Sequence, residues 1–155
     1  MFGDLNEKEM DDLLTGKLIG RLGLYDGKIP YIVPISYVYD DNSIYCHTTE
    51  GLKMEMIRKN PYICFQVDDT DNLSRWSSVI CWGTASELTE PNQRESAINK
   101  LLDRKLPILS SETTHISPMW PFHPNDLSDI KGIILKIDVT KRTGRYEKND
   151  LPQRP

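Results

Sequence analysis

Residues 31–60, YIVPISYVYDDNSIYCHTTEGLKMEMIRKN, decide how the chain is read. Tyr31 to Tyr39 alternates as a strand, with Tyr31, Val33, Ile35, Tyr37 and Tyr39 on one side and Ile32, Pro34, Ser36 and Val38 on the other. Large side chains occupy both faces, so neither reads as freely solvated, and a barrel wall has that pattern. Pro34 has no N–H for a ladder, so this strand is expected at a sheet edge or broken by a bulge. Asp40-Asp41-Asn42 turns the chain, and Ser43 to Thr48 returns as the second strand of a hairpin. Gly51 to Asn60 reads as a short helix with Leu52, Met56 and Ile57 inward, ended by Asn60-Pro61.

The junction of strand and helix carries the chemistry. Thr48 and Thr49 offer hydroxyl donors, Gly51 lets main chain come close to a ligand, and Lys53 adds a positive charge in the first helical turn. Together these are the parts that hold a phosphate. His47 adjoins them and could donate to an anion or satisfy a buried strand end. The plainer reading is that His47-Thr48-Thr49 only caps the helix. The glycine pattern of a nucleotide-binding P-loop is absent.

Outward from this stretch, Asn6 to Leu14 has the spacing of an amphipathic helix with Asn6 as N-cap, and 1–16 forms an N-terminal helical segment. Lys17 to Leu24 is a strand candidate with two interior glycines, a sign of a bend or of close backbone approach. Tyr62 to Val67 reads as a strand, Asp68 to Asn72 as an acidic loop, and Trp76 to Glu87 as the next strand. Pro91 to Lys105 is a helix with Ala97, Ile98, Leu101 and Leu102 inward and Lys100, Asp103, Arg104 and Lys105 on its wet side. A proline-rich stretch with Trp120 follows, then a closing strand from Gly132 to Thr140, with 146–155 a tail that frays. About six strands without regular helical crossovers point to a mainly β, antiparallel barrel decorated by helices.

The 155 residues suit a single domain, 38% of them hydrophobic and 27% charged. A net charge of -4 argues against a nucleic-acid or membrane-surface partner, which would need a basic face. No segment has the apolar length of a membrane span or leader, so a cytoplasmic protein is expected. Cys46, Cys64 and Cys81 sit in apolar runs and read as buried thiols. His47, His115 and His123 lack the spacing of metal ligands, so no metal site is expected, and no Gly-x-Ser-x-Gly elbow surrounds Ser36, Ser77 or Ser78. No acid-base pair stands out, and the catalytic residues stay unassigned.

Three stretches together resemble a known family: IGRLGLYDGKIPYIVPISYVYDDNSIYCHTTEGLKMEMIRKNPYICFQVDD, then WSSVICWGTASEL, then the closing strand with Thr143-Gly144-Arg145. Their succession over most of residues 17 to 145 is similar to the flavin-binding split-barrel proteins related to pyridoxamine 5'-phosphate oxidase, and within them to the nitroimidazole-resistance (Nim-type) branch. The resemblance implies an FMN-binding split barrel that forms a homodimer, with FMN in each of two interface clefts. It implies that Val33, Pro34, Ile35, Ser36 and Tyr37 lie along the isoalloxazine and that His47, Thr48, Thr49, Gly51 and Lys53 hold the phosphate. Trp76, Ser77, Ser78 and Val79 would complete the cleft; by extrapolation beyond the resemblance, the proline-rich loop around Trp120 is expected from the second subunit.

The longer basic phosphate motif and the C-terminal Trp-Arg-Leu signature of the oxidase itself are missing, so vitamin B6 oxidation is not implied. The implied activity is that of an FMN-dependent oxidoreductase reducing a small-molecule acceptor, with nitro-aromatics among the candidates. FAD, a deazaflavin or haem are the alternative cofactors. A different class of reading is a non-catalytic flavin- or haem-binding protein for storage or sensing, with a histidine as axial ligand. A flavin brings its own redox chemistry and asks the protein for anchoring, orientation and tuning.

Overall fold

The computed structural model describes residues 1–106, 115–116 and 126–149. Among them lie eight strands: β1 (Phe2–Asp4), β2 (Ile19–Tyr25), β3 (Pro30–Ser36), β4 (Val38–Asp40), β5 (Ser43–Thr48), β6 (Tyr62–Asn72), β7 (Arg75–Glu87) and β8 (Ile133–Lys148). Three α-helices accompany them: α1 (Glu7–Gly16), α2 (Leu52–Lys59) and α3 (Pro91–Leu102). The strands form one antiparallel sheet in the order β3-β2-β6-β7-β8-β5-β4, with β1 added along β8.

The two ends of that order, β3 and β4, are consecutive pieces of one chain. Tyr37 parts them: β3 pairs back with β2, and β4 pairs forward with β5. The expected hairpin partner of β5 is thus only the last three residues of the 31–39 run. Tyr37 is fully buried, its hydroxyl donates to the Leu14 carbonyl at 2.6 Å, and its ring packs edge-on against Phe65 at 4.9 Å. An aromatic pair of this kind adds about 0.5–1.5 kcal/mol beyond burial. The sheet therefore curls and is closed covalently at Tyr37, giving a split barrel.

Pro34 sits in β3 at the sheet edge, as its missing N–H requires. The turn between β4 and β5 holds both Asp41 (φ 47) and Asn42 (φ 58) in the left-handed region, the backbone of a type I′ hairpin turn.

Inside the barrel, Leu22, Ile35, Ile44, Cys46, Phe65, Val67, Val79, Cys81, Leu135 and Ile137 form the main core. Each fully buried aliphatic side chain contributes about 1.5–3 kcal/mol. Gly20 is required by this packing, because a Cβ there would stand 2.1 Å from Phe65 Cζ. A second cluster forms outside the barrel, where Ala97, Ile98 and Leu101 of α3 meet Ile134 and Leu88. On α2 the buried residues are Met54, Met56 and Ile57, whereas Leu52 faces out instead of inward.

Helix α1 begins with a capping box, in which Asn6 Oδ1 accepts from the Glu9 N–H at 2.9 Å and Glu9 Oε2 from the Asn6 N–H at 2.8 Å. It is joined to β8 by Arg142, whose guanidinium pairs with Glu7 and Asp11 and donates to the Tyr39 hydroxyl at 2.8 Å.

Two strands run longer than the sequence suggests. The acidic stretch Asp68 to Asn72 continues β6 instead of forming a loop, because its charges are matched across the sheet by Arg21 and Lys17. β8 extends to Lys148, because its second half pairs with both β7 and β1.

Candidate functional site

Helix α2 starts with Gly51 at its N-cap, and no side chain caps it. The Thr48 hydroxyl, on a buried residue, reaches only the Thr49 carbonyl, at 3.5 Å, so His47-Thr48-Thr49 does not serve as the helix cap. A Cβ added at Gly51 would meet no atom within 4 Å, and Thr49 is exposed beside it. Among the described residues, no side chain caps the first amides of the helix, whose partial positive charge favours an anion.

Lys53 stands one residue into that helix and is half-buried. Burial lowers the pKa of its ammonium, and among the described residues no acidic side chain acts on it in return. Its one interacting neighbour, Cys46, carries no charge near neutral pH, because burial pushes that thiol up to about 12. A half-buried cation without a counter-charge is an arrangement that an anionic ligand relieves.

Arg104 joins the same neighbourhood from the end of α3. Its Nη1 donates to Ser36 Oγ at 2.5 Å and to the Tyr37 carbonyl at 3.4 Å, and its Nε donates to the Leu101 carbonyl at 2.8 Å. The sequence places Arg104 on the wet side of a helix. The helix instead stops at Leu102, and the following turn folds the guanidinium back into the protein, where burial lowers its pKa. A basic residue just past a helix end is common, so its sequence gives no signal of this role.

His47 completes the wall. Its Nε2 meets the Lys131 carbonyl at 2.6 Å, and a carbonyl only accepts, so Nε2 bears the proton. Burial, aided by the nearby Arg94 and Arg104 charges, keeps its pKa below the ordinary value despite that bond. Gly132 (φ +91) makes the contact possible, since a Cβ there would come within 2.7 Å of His47 Nε2. His47 is thus tied into the wall as a neutral ring.

The remaining sequence-derived candidates separate by face. Val33 and Ile35 lie on the barrel side of β3, Ile35 buried, whereas Pro34 is exposed and Ser36 half-buried. Tyr37 and Val79 are core residues, so only their main chain is open to a ligand role. Ser77 and Ser78 are half-buried on β7, and Trp76 is engaged elsewhere, donating to Glu147 Oε2 at 3.1 Å and meeting the Phe2 ring at 5.9 Å. Trp120 and His123 lie outside the described residues.

A polar strip on the outer face has no signal in the sequence. Across the outer face, Pro34 pairs with Arg21 and Arg21 with Gln66. Gln66 Nε2 donates to Ser78 Oγ at 3.0 Å and to Asp68 Oδ1 at 3.2 Å, and Arg21 Nη1 donates to the same Asp68 oxygen at 2.8 Å. Alternation along β6 hides this strip, because Gln66 and Asp68 read as ordinary solvent-facing positions.

Two residues further along each strand, the outer face turns apolar. Ile32, Gly23, Cys64 and Trp82 form one register row, and Ile32 and Tyr62 are 70% and 73% exposed. A groove of about 850 Å³ runs there, lined by Tyr25, Tyr31 and Ile32 on one side and Tyr62 and Trp82 on the other. Among the described residues there is no cluster of His, Cys, Asp and Glu fit for a metal ion, and no helix long and apolar enough to cross a membrane.

A family model described as pyridoxamine 5'-phosphate oxidase matches residues 6–146. An uncharacterised protein of Rhizobium meliloti is 30% identical over 84 residues, which take in 54% of this chain and 56% of that protein, so the chain spans little more than half the length of this relative. Among solved structures, an FAD-binding protein from Mesorhizobium loti superposes with a TM-score of 0.72 at 28% identity, over 96% of this chain and 99% of the other. A candidate 5-nitroimidazole antibiotic resistance protein from Bacteroides thetaiotaomicron gives a TM-score of 0.70 at 16% identity, over 94% of this chain and 87% of that one.

Proposed function

We propose, from the premise that this chain belongs to the pyridoxamine 5'-phosphate oxidase family, that it is an FMN-dependent oxidoreductase of the Nim-like kind. The observation that carries the reading is the start of α2 without a side-chain cap, with Lys53 half-buried beside it and no counter-charge among the described residues. Those groups fit a terminal phosphate: amides and an ammonium for its oxygens, with Arg104 and Ser36 alongside. The bound flavin supplies hydride and electron transfer to a small acceptor, a nitro-aromatic being one candidate.

The chain's own residues anchor and orient. Lys53 and the α2 amides would hold the phosphate, and Ser36, fixed by Arg104, would stand at the end of the edge strand along which the ring lies. Pro34 contributes no N–H to either side of that strand.

The apolar row Ile32-Gly23-Cys64-Trp82 argues for a homodimer, since exposed aromatic and aliphatic side chains gathered on one sheet face are a protein-contact surface. That face abuts the strip that starts at Pro34, so a second copy seated on it would wall the flavin cleft. The proposed setting is the cytoplasm.

The alternative of haem bound through His47 is less well supported, because the Nε2 that would meet an iron is engaged by the Lys131 carbonyl. Purified protein is expected to be yellow or to turn yellow on reconstitution, with one flavin per subunit released as FMN on mass analysis. Protein that stays colourless after incubation with FMN would overturn the reading.

A further inference from the structure

The strip on the outer face beside Pro34 has a fixed hydrogen-bonding polarity. Asp68 Oδ1 receives Arg21 Nη1 at 2.8 Å and Gln66 Nε2 at 3.2 Å, and its other oxygen receives the Thr70 hydroxyl at 2.9 Å. A carboxylate only accepts, so the Gln66 amide must turn its nitrogen toward Asp68, and the second hydrogen of that nitrogen goes to Ser78 Oγ at 3.0 Å.

Three capacities are left over. Gln66 Oε1 is an acceptor with no bond among the described residues, and since no buried side-chain oxygen or nitrogen among them lacks a partner, it opens to solvent. Ser78 has accepted through its oxygen and keeps its O–H to donate. Arg21, with a side chain 47% exposed, keeps N–H groups beyond the one given to Asp68. The strip therefore offers donors from Arg21 and Ser78 on either side of a carbonyl acceptor.

A cyclic imide edge carries the complementary sequence of C=O, N–H and C=O. We infer that Gln66, flanked by Arg21 and Ser78 and oriented by Asp68, reads the imide edge of the flavin's pyrimidine ring, with Gln66 Oε1 accepting from N3–H and the two flanking donors facing the ring carbonyls. This rests on the flavin reading above and deepens it. The placement agrees: Gln66 is two strands over from Pro34 in one register row, about 10 Å at ordinary strand spacing. Asp68 is a positioning residue here, because it sets the direction of the amide and touches the ligand only through it.

The test compares FMN with 3-methyl-FMN, which lacks the N3–H, by titration of the whole protein with flavin fluorescence as the readout. Wild-type protein should bind the methylated flavin about tenfold or more weakly, the usual worth of a well-aligned hydrogen bond whose loss leaves an unpaired acceptor. Gln66→Ala should bind FMN more weakly and bind the two flavins alike, whereas Lys53→Ala should lose affinity for both and keep the preference.

Wild-type protein that binds FMN and 3-methyl-FMN equally overturns the assignment of Gln66 and leaves the flavin reading standing. Protein that binds neither overturns the flavin reading and this inference with it. The wild-type comparison needs no variant to fold.

Discussion

Two cationic sites of this molecule have opposite chemistry, although both draw basic side chains out of water. Arg142 is only 11% exposed, yet it is surrounded by answering groups: Glu7 through Nε at 3.1 Å and Nη2, Asp11 through Nη1, and the Tyr39 hydroxyl. Burial alone would lower its pKa, and the Asp11 and Glu7 carboxylates more than reverse that. Lys53 and Arg104 are also desolvated, and there burial prevails, so both pKa values fall. Arg142 is a joint that holds α1 on β8. Lys53 has no acidic partner among the described residues and is the group proposed above to meet an anion.

That contrast can be broken most directly at Arg142. Arg142→Ala removes the shared partner of Glu7, Asp11 and the Tyr39 hydroxyl and loosens α1 from the barrel, so we expect a loss of about 2–3 kcal/mol, less than for a deeply buried pair because Glu7 is mostly exposed and Asp11 half-exposed. Thermal or urea unfolding checks it, and an unchanged midpoint would show the network to be incidental. FMN affinity should be unaffected.

Lys53→Ala should behave in the reverse manner. Removing a charge-assisted phosphate contact is expected to raise the FMN dissociation constant about 10- to 50-fold, while stability holds or rises slightly because a desolvated charge has been deleted. Titration calorimetry beside a melting curve separates the two effects, and equal affinity would remove Lys53 as an anchor.

A smaller effect concerns alkaline pH. Lys53 binds phosphate only when protonated, and its pKa lies below the ordinary lysine value in the free protein. FMN affinity should therefore decline as pH rises, beginning below the pH where an ordinary lysine would deprotonate. Lys53→Arg should flatten the decline, because guanidinium keeps its charge there. A flat wild-type profile would exclude a titrating anchor.

The smallest effect lies at acid pH. The Asp11 carboxyl is held below its ordinary value, chiefly by its hydrogen bond to Arg142. A depressed carboxylate adds stability that is present above its unfolded pKa and disappears as pH falls through the lower folded pKa. Asp11 is half exposed, so solvent screening limits its share to about 0.5 kcal/mol. Asp11→Asn should reduce the slope of stability against pH below about pH 4, the ordinary carboxylate region, and an identical slope would assign the acid sensitivity to other groups.

Much of the fold could be read ahead because periodicity and local chemistry agree. Asn6 with Glu9 announces the start of α1, Pro34 announces an edge strand, and the glycines of β2 announce the close approach of Phe65 and Cys64. The readings that fail depend on partners distant in the chain. Asp68 to Asn72 looks like a loop until Arg21 and Lys17 neutralise it across the sheet. The 31–39 run looks like one strand, because nothing local shows that Tyr37 will turn into the core to meet Leu14 and Phe65.

The site follows the same rule. The helix start at Gly51, with Thr49 exposed before it and Lys53 in its first turn, follows from local sequence. The positions of Arg104 and Gln66 do not, because the turn after α3 and the β2-β6-β7 register deliver them from afar.

The place of β8 in the sheet has a consequence in time. It pairs with β5, β7 and β1, and Phe2 lies opposite Glu147, so the first and last described strands are neighbours. A chain emerging from the ribosome cannot complete the sheet until residues 133–148 are out, and β5 and β7 wait with open edges until then. Such long-range closure is slow. A C-terminal truncation removing β8 should therefore yield aggregate instead of a smaller folded protein, and the period before β8 emerges is when the nascent chain most needs shelter.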